Sequence, residues 1–444
     1  KVLTITNLDP SVEQRQQTLN DAIRWSFDLL KPTEALLLQR VAVFSGGFQL
    51  PAAELVCTDA SLPEDSIEEA LSGLVRSSLV SFQRDHERYV LLEPIREFAA
   101  RLLRESEQES AVRDRHVGWA NELAEEAEPH LQQGDAAHWL NRLDQEHENF
   151  RAALRWATEP ERRLRIAASL HRYWRMRGLH HEGIGWMSGV MHHAANIDPA
   201  LLAKASNSLG ILLWSEGRYE EAAERLRVAM TEYERLGNHQ RMAGAMANLG
   251  NVLSDQGEFA ESEVMHRRAI LAYQEIGDAT NEIRELSNLA CCLCDGGKEQ
   301  EGMEIFETVR QRQSGGEDFS AMATTSGNIA MVASLSGDRE KGQTMLLEAV
   351  RYAEMADDHH LWTWLLLPAA CVAESLGDVA TTAELMSRRD REAKLHDIAF
   401  GVFDRTLSER MRSKIAGVGD QTDQDPETPM TSQQFLQHVV LAMN

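Results

Sequence analysis

The chain has 444 residues, a hydrophobic fraction of 43% and a formal net charge of −25. This length is enough for two or three domains, and the composition is that of an ordinary globular protein. The negative charge disfavours nucleic acid as a partner of the bulk surface, because phosphate binding needs a basic face.

Cysteine usage and apolar patterning favour a cytoplasmic location. The five cysteines form an odd, clustered set, which fits a reducing compartment and not a disulfide framework. The N-terminus has no apolar signal-peptide core, and the longest apolar stretch, Leu361 to Ala373, is too short to cross a membrane. The chain begins at Lys1 without a Met, so we expect a fragment of a longer protein.

The first hundred residues predict helices followed by a β-hairpin. Residues 1–17 are polar and are interpreted as the tail of an upstream domain. The predicted elements are a helix that Thr18 caps and Lys31-Pro32 ends, a helix over Glu34–Phe44 capped by Thr33, a short helix after Pro51, a helix over 64–76, strands over Ser78–Phe82 and Arg88–Leu92, and a helix from Glu93 to about Arg104. Helices followed by a hairpin make a winged helix, so residues 18–105 predict a winged-helix domain.

Acidic helices over 106–160 are predicted to link this domain to a repeat region at 161–395. Glycines recur there every 40 residues, and a small residue stands seven positions before each one. The glycines are Gly217, Gly257, Gly297, Gly337 and Gly377, and the small residues are Gly210, Gly250, Ala290, Ala330 and Ala370. Small residues let antiparallel helices approach closely, and a turn glycine accepts left-handed backbone. The pattern resembles a tetratricopeptide array. The usual period of such arrays is about 34 residues, so the period of 40 residues indicates longer helices.

Residues 396–444 predict capping helices at the end of the array. Thr431 and Gln434 form a capping box for a last helix over Phe435–Ala442. Terminal units of a solenoid must cover an otherwise exposed apolar face. The predicted fold is therefore mostly α, a winged helix followed by an α-solenoid of tetratricopeptide-like hairpins.

Several ordered motifs in residues 14–190 carry a family resemblance. They are Thr18-Leu19 with Ala22–Leu30, Val41–Phe48, Leu74–Val80, Tyr89–Ala99 and Glu146–Leu154. Together they resemble the winged-helix segment of bacterial STAND signalling NTPases, the kind found in SARP-type and LuxR-type transcriptional regulators. The resemblance implies an upstream P-loop NTPase domain that holds ADP or ATP and packs on the winged helix, and repeats that sense a signal.

The chain departs from that family at its nucleotide motifs. No G-x-x-x-x-G-K-[ST] sequence occurs, so ATP, ADP and Mg are expected only if an upstream NTPase domain exists. Relatives in plants and animals carry a Met-His-Asp motif after the wing, whose His touches the nucleotide. Here Leu91, Leu92 and Glu93 stand in its place, which argues against nucleotide sensing by the wing.

DNA binding, metal binding and catalysis are not expected in this chain. Residues 1–116 contain 13 Lys and Arg against 19 Asp and Glu, and the helix over 64–76 begins with four acids. Cys291 and Cys294 form a C-x-x-C mid-helix, without a second pair to complete a zinc site. The pairs His180-His181 and His192-His193 lie too far apart along one helix to share an ion. No nucleophile elbow or H-E-x-x-H occurs.

The first helices of tetratricopeptide repeats line a concave groove. Carried over by position, the resemblance predicts a ligand or peptide groove formed by Arg165, Arg172, Arg175, Lys204, Asn207, Ile211, Trp214, Asn251 and Arg284. The same positions continue as Ser254, Ser287, Cys291, Cys294, Met331, Ser334, Trp364, Cys371 and Glu374. Cations beside an apolar wall predict a sensor site for an acidic peptide or a small anionic effector at the Arg165–Trp214 end. The alternative is that these cations pair with acids on neighbouring helices.

The sequence thus predicts a non-catalytic, ligand- or protein-sensing regulatory module of a STAND-type transcriptional or signalling regulator. The alternative is a free-standing tetratricopeptide adaptor or chaperone cofactor that docks protein tails. A P-loop domain upstream in the full reading frame would separate the two.

Overall fold

The computed structural model describes residues 20–131, 136–191, 197–356, 358–395, 407–409, 411–413 and 431–442. The predicted tail over 1–17, the cap residue Thr18 and the pair His192-His193 lie outside these residues. The chain divides into two compact units, Lys1–Leu212 and Leu213–Asn444. None of the helices that the structure describes combines the length and apolar character needed to cross a membrane.

The first unit consists of helices interrupted by one hairpin. Its elements are α1 (residues 20–28), α2 (Pro32–Val41), α3 (Leu50–Cys57), α4 (Ile67–Arg76), β1 (Ser81–Gln83), β2 (Arg88–Val90), α5 (Glu93–Glu105), α6 (Glu109–His130), α7 (Ala136–Trp156), α8 (Pro160–Met176), α9 (His180–Met191) and most of α10 (Pro199–Ser215). The two strands are antiparallel, with Ser81 opposite Val90. They are shorter than predicted, but the order of four helices, a hairpin and a further helix is the predicted one.

The start of α2 corrects one prediction. Thr33 was expected to cap a helix beginning at Glu34, but the helix begins at Pro32 and its N-cap is Lys31. The Glu34 carboxylate accepts a hydrogen bond from the Lys31 backbone nitrogen at 3.0 Å. Proline at the first helical position lacks the N–H that would otherwise stay unsatisfied there, so it favours this earlier start.

A buried polar clamp joins α7 to the hairpin and to the loop after α2. Arg88, which starts β2, forms an ion pair with Glu146 of α7 and donates to the Gly47 carbonyl oxygen at 2.9 Å. Asn149, one turn further along α7, accepts from the Ser45 backbone nitrogen at 2.8 Å and donates to the same Gly47 carbonyl at 2.9 Å. Because these polar groups satisfy one another, they can be buried together.

The second unit is a tetratricopeptide-like solenoid, as predicted. Its helices are α11 (Tyr219–Arg235), α12 (His239–Gln256), α13 (Phe259–Ile276), α14 (Ala279–Asp295), α15 (Glu299–Gln313), α16 (Phe319–Leu335), α17 (Arg339–Met355), α18 (His359–Ser375), α19 (Val379–Leu395) and α20 (Ser432–Ala442). Successive helices form hairpins. The small residues predicted at the helix crossings are buried, with Ala290, Ala330 and Ala370 fully inaccessible.

Each predicted repeat glycine adopts left-handed backbone at the end of a first helix. Gly257 has a φ of 83°, and the next residue, Glu258, donates its N–H to the Leu253 carbonyl at 2.9 Å. This bond satisfies a carbonyl that the helix leaves free. A second series, which the sequence analysis missed, begins the first helices. Its side chains accept from backbone N–H groups three residues on, and its members are Asp198, Asn238, Asp278 and Asp318, again 40 residues apart.

The last helix, α20, covers the end of the array. The predicted capping box is confirmed, since Thr431 and Gln434 exchange hydrogen bonds of 3.0 and 3.2 Å. Phe435 and Val439 join the apolar core of the last repeats, whereas Leu441 is 73% exposed. Gln437 also donates to Glu354 of α17 at 2.7 Å.

Candidate functional site: a groove along the first helices

A groove of about 820 Å³ runs along the first helices of the second unit. Its wall is formed by α12, α14 and α16, with α14 in the middle. Trp214 lies in the lining contributed by the end of α10, and Trp364 in that contributed by α18. The volume is that of a cleft for a small molecule or a short peptide segment.

The helical period explains which side chains of α14 line this groove. Thr280, Arg284, Ser287 and Cys291 follow one another at steps of three or four residues, so they share one face of the helix. Three of them are small, which leaves open space. Trp364 enters the lining because Gly327 of α16 has no side chain, as a Cβ atom there would lie 2.7 Å from the indole ring.

The lining of the groove carries more negative than positive groups. The carboxylates are those of Asp255, Asp295, Glu317 and Asp318, and the guanidinium groups are those of Arg284 and Arg312. Arg312 donates two hydrogen bonds of 2.8 Å to Glu282. These bonds and one from Gln274 lower the pKa of Glu282 to about 2. The positive charge of Arg312 is therefore already balanced by a neighbouring carboxylate.

A buried imidazole, carboxylate and amide connect the core of the array to the groove. His266 Nδ1 lies 2.6 Å from Glu285 Oε1, and both side chains are almost inaccessible. The second oxygen of Glu285 accepts a hydrogen bond from Asn288 Nδ2 at 3.0 Å. Both His266 and Asn288 line the groove. His266 Nε2 is buried and has no hydrogen-bond partner among the residues that the structure describes.

Three of the nine predicted site residues lie in the groove lining, namely Trp214, Asn251 and Arg284. Trp214 donates its indole N–H to Asp255 at 2.7 Å. The positions carried over to later helices also lead to the groove, through Ser254, Ser287, Cys291, Met331 and Trp364. Apart from the two tryptophans, these lining residues lie on α12, α14 and α16.

The other six predicted residues belong to the first unit. Lys204 donates to Glu128 at 2.5 Å and to Ser169 at 2.8 Å, so the predicted alternative of pairing with an acid holds for this residue. Arg165 and Arg175 are exposed on α8, and Ile211 is buried. Arg172 and Asn207 are partly buried on α8 and α10. An anion site at these residues stays a prediction.

The cysteines of α14 are placed as small apolar side chains. Burial raises the pKa of the Cys294 thiol to about 12 and also raises that of Cys292, which disfavours the reactive thiolate. None of the five cysteines forms a disulfide bond. In the parts of the chain that the structure describes, no group of three His, Cys, Asp or Glu residues is arranged to hold a metal ion.

Comparisons with known proteins agree with the repeat architecture. A tetratricopeptide repeat family model matches residues 201–275. A candidate HTH-type transcriptional regulator of Mycobacterium tuberculosis (strain ATCC 25618 / H37Rv) is 34% identical over 201 residues, which cover 43% of this chain and 23% of the relative. The match thus spans about a quarter of the length of that relative.

Two solved structures are also similar. A STAND protein of Pyrococcus horikoshii with a tetratricopeptide repeat sensor is 13% identical, with a TM-score of 0.49 over 96% of this chain and 64% of that one. NprR in complex with its cognate peptide NprX is 13% identical, with a TM-score of 0.49 over 69% of this chain and 86% of that one.

Proposed function

We propose that this chain is the sensing part of a STAND-type regulator and that the groove of its second unit binds a peptide or a segment of a partner protein. The observation that carries the proposal is the groove itself. It is about 820 Å³ in volume, lies on the first helices of consecutive repeats, and combines tryptophans with amide and hydroxyl side chains. Such a lining offers apolar contact and hydrogen bonds to a peptide backbone.

The regulatory context is the finer part of the proposal. The chain begins with four helices, a hairpin and a further helix (α1 to α5), which is the order predicted for a winged-helix domain. The partial match to a candidate HTH-type regulator supports a role in controlling transcription. In the intact protein an upstream NTPase domain would pack on the winged helix. The chain itself would be non-catalytic, with no cofactor of its own.

Direct DNA contact by the first unit is not part of this proposal. Glu64 and Asp65, in the short 3-10 turn before α4, and Glu68 and Glu69, in the first turn of α4, are all exposed. Four exposed carboxylates at and just before the N-terminus of this helix repel phosphate groups. The effect on transcription would therefore pass through another part of the intact protein.

Peptide selection tests the groove. A random-peptide display library is panned against the chain, and the enriched peptides are measured by calorimetry against two variants. Ser287→Arg places a long side chain in the middle of the groove, and Thr308→Arg places the same side chain on an exposed position of α15 outside the lining. Enriched peptides should lose at least tenfold in affinity for Ser287→Arg and should bind Thr308→Arg as they bind the wild type.

The matched variants decide the result. Equal binding to the wild type and Ser287→Arg would place the peptide elsewhere and would contradict the proposal. Thermal melting of both variants comes first, because a misfolded Ser287→Arg protein would lose binding for a trivial reason. If that variant melts early, Thr280→Arg at the end of the same face replaces it.

A further inference from the structure

We infer that the occupant of this groove is a basic peptide, with an arginine or lysine side chain seated at Asp255 and Asp295. The inference rests on the proposed function and names the chemical class of its ligand. It differs from the anionic effector that the sequence alone favours for the first unit. Three observations in the second unit carry it: the balance of charge in the lining, the placement of two carboxylates by the repeat, and a buried polar group beside the groove.

The charge of the lining favours a cationic ligand. Four carboxylates face two guanidinium groups, and Arg312 is already bonded twice to Glu282. The groove also belongs to a chain with a formal net charge of −25. An acidic peptide would be repelled by the net charge of the chain at long range and by the carboxylates of the lining at short range. A basic peptide would be attracted by both.

The repeat places Asp255 and Asp295 at equivalent positions. Each stands two residues before a turn glycine, and the corresponding residues of the other repeats are Ser215, Leu335 and Ser375. Both aspartates line the groove and also a neighbouring cavity of about 680 Å³. The first helices that carry these carboxylates, α12 and α14, both border the two cavities, as does α16, which has Leu335 at this position. Trp214 is bonded to Asp255, so a cation held there lies within reach of an indole.

The buried group is His266, which is 1% exposed. Its Nδ1 bonds to Glu285, but its Nε2 has no hydrogen-bond partner among the described residues, and His266 is one of the residues that line the groove. A buried polar atom without a partner is unfavourable, and a ligand or the water that it brings can supply the missing bond. Glu285 also orients Asn288, whose amide can bond to a peptide backbone.

Capped, fluorescently labelled hexapeptide pools test the inference on the full chain. Each pool has one fixed residue among random neutral ones: arginine, lysine, glutamate or citrulline, the uncharged analogue of arginine. Fluorescence polarisation should show binding of the arginine and lysine pools, which weakens as salt rises. The citrulline and glutamate pools should bind at least tenfold more weakly.

Charge-neutral variants locate the cation. Asp255→Asn removes the negative charge but keeps an oxygen that can accept from Trp214. Asp295→Asn removes the negative charge at the equivalent position of the next repeat. Each should weaken the arginine pool about tenfold or more. Glu340→Gln is the matched control, since it removes one exposed carboxylate of the same unit outside the groove, and it should change binding less than twofold.

The outcomes separate the two proposals. If the glutamate or citrulline pool binds best, or the aspartate variants bind the arginine pool unchanged, the inference is wrong. If the pool that binds the wild type no longer binds Ser287→Arg, the groove is still the peptide site, and only the inference of a basic ligand fails. If the arginine pool binds the wild type and Ser287→Arg equally, attraction to the surface explains the signal and both proposals fail. Binding by no pool also overturns both.

Discussion

His266 occupies a position that is apolar in the other repeats. The equivalent residues, nine positions after the turn glycine, are Leu226, Phe306, Leu346 and Met386. The imidazole fits because Gly250 lies under it; a Cβ atom there would come within 2.6 Å of the ring. The exchange of an apolar for a polar residue is tolerated because Glu285 of the next first helix meets it at 2.6 Å. The two residues therefore form one buried polar unit.

Removing one member of this unit should cost more than removing both. His266→Leu leaves the Glu285 carboxylate buried with only the Asn288 amide, and we expect a loss of about 3 kcal/mol in the free energy of unfolding. His266→Leu combined with Glu285→Leu should recover most of that loss, because no unpaired charge remains. Urea unfolding of the single and double variants gives the coupling energy. Simple additivity of the two substitutions would contradict the pairing.

Two buried histidines of the first unit should make its stability depend on pH. Burial lowers the pKa of His116 and of His171 to about 3, with smaller contributions from nearby arginines. The unfolded chain binds protons at these residues below about pH 6.5, whereas the folded chain does not until near pH 3. Stability therefore falls as pH falls through that window.

The size of this effect can be measured. At pH 5.5 each histidine should lower the free energy of unfolding by about 1.4 kcal/mol relative to its value at high pH. Urea unfolding at pH 7.5 and 5.5 compares the wild type with His171→Gln, which can still donate to the Ala168 carbonyl as His171 Nδ1 does at 2.7 Å. Between pH 7.5 and pH 5.5, the free energy of unfolding should fall by about 1.4 kcal/mol less in the variant than in the wild type. An identical pH response would show that His171 is not the titrating group.

At the scale of elements, α7 is fixed to the hairpin by one buried ion pair. Arg88 and Glu146 are 4% exposed each, and Arg88 also donates to the carbonyl oxygens of Gly46 and Gly47. Glu146→Gln should reduce the free energy of unfolding by about 3–5 kcal/mol, because it leaves the guanidinium buried without its counter-charge. Differential scanning calorimetry of the variant measures the loss.

A control for this prediction lies two residues away on α7. Glu148 pairs with Arg151 at the surface, at 2.8 Å, with both side chains at least one-third exposed. Glu148→Gln should therefore change stability by less than about 1 kcal/mol. If both substitutions had the same small effect, the buried pair would not be what holds α7 to the hairpin.

The helices and the turns of the array could be predicted because their signals are local. A glycine such as Gly257 and a small residue such as Gly250 report on backbone and packing within a single hairpin, so a fixed spacing reveals them. The cap series that includes Asp278 is equally local and equally regular, and a search at the same period would have found it. The prediction that Thr33 is the N-cap was wrong because Pro32 favours a helix that begins at its own position, and Glu34 accepts a hydrogen bond from the backbone nitrogen of Lys31.

The location of the groove could be predicted only in part. Periodicity identifies which faces of the first helices line a concave surface, and Asn251 and Ser287 follow from it. Whether a cation on that surface is available depends on residues far away in sequence. Lys204 bonds to Glu128, which is 76 residues away in sequence, and no local sequence pattern predicts that contact. The acidic character of the lining likewise arises from residues between the sampled positions, such as Asp255 and Asp295.

For the whole molecule, the decisive question is whether this chain meets nucleotide by itself. The residues that replace the Met-His-Asp motif are engaged otherwise or turned outward. Leu91 is buried in the core, Leu92 is 66% exposed at the start of α5, and Glu93 bonds to Arg96 at 3.0 Å. None of these side chains offers an imidazole to a phosphate or an adenine. The sequence also contains no phosphate-binding loop.

We therefore expect no binding of ADP or ATP, with or without Mg, and no ATP hydrolysis by this chain. Calorimetry with millimolar nucleotide should give only heats of dilution, and the melting temperature should not move. The second measurement is sensitive, because a ligand at 100 times its dissociation constant would stabilise the folded state by about 2.7 kcal/mol. The arginine peptide pool serves as the positive control for a working protein. Micromolar binding of ADP would show that the chain supplies phosphate contacts of its own. The proposal that an upstream NTPase domain binds the nucleotide while this chain senses the ligand would then be wrong.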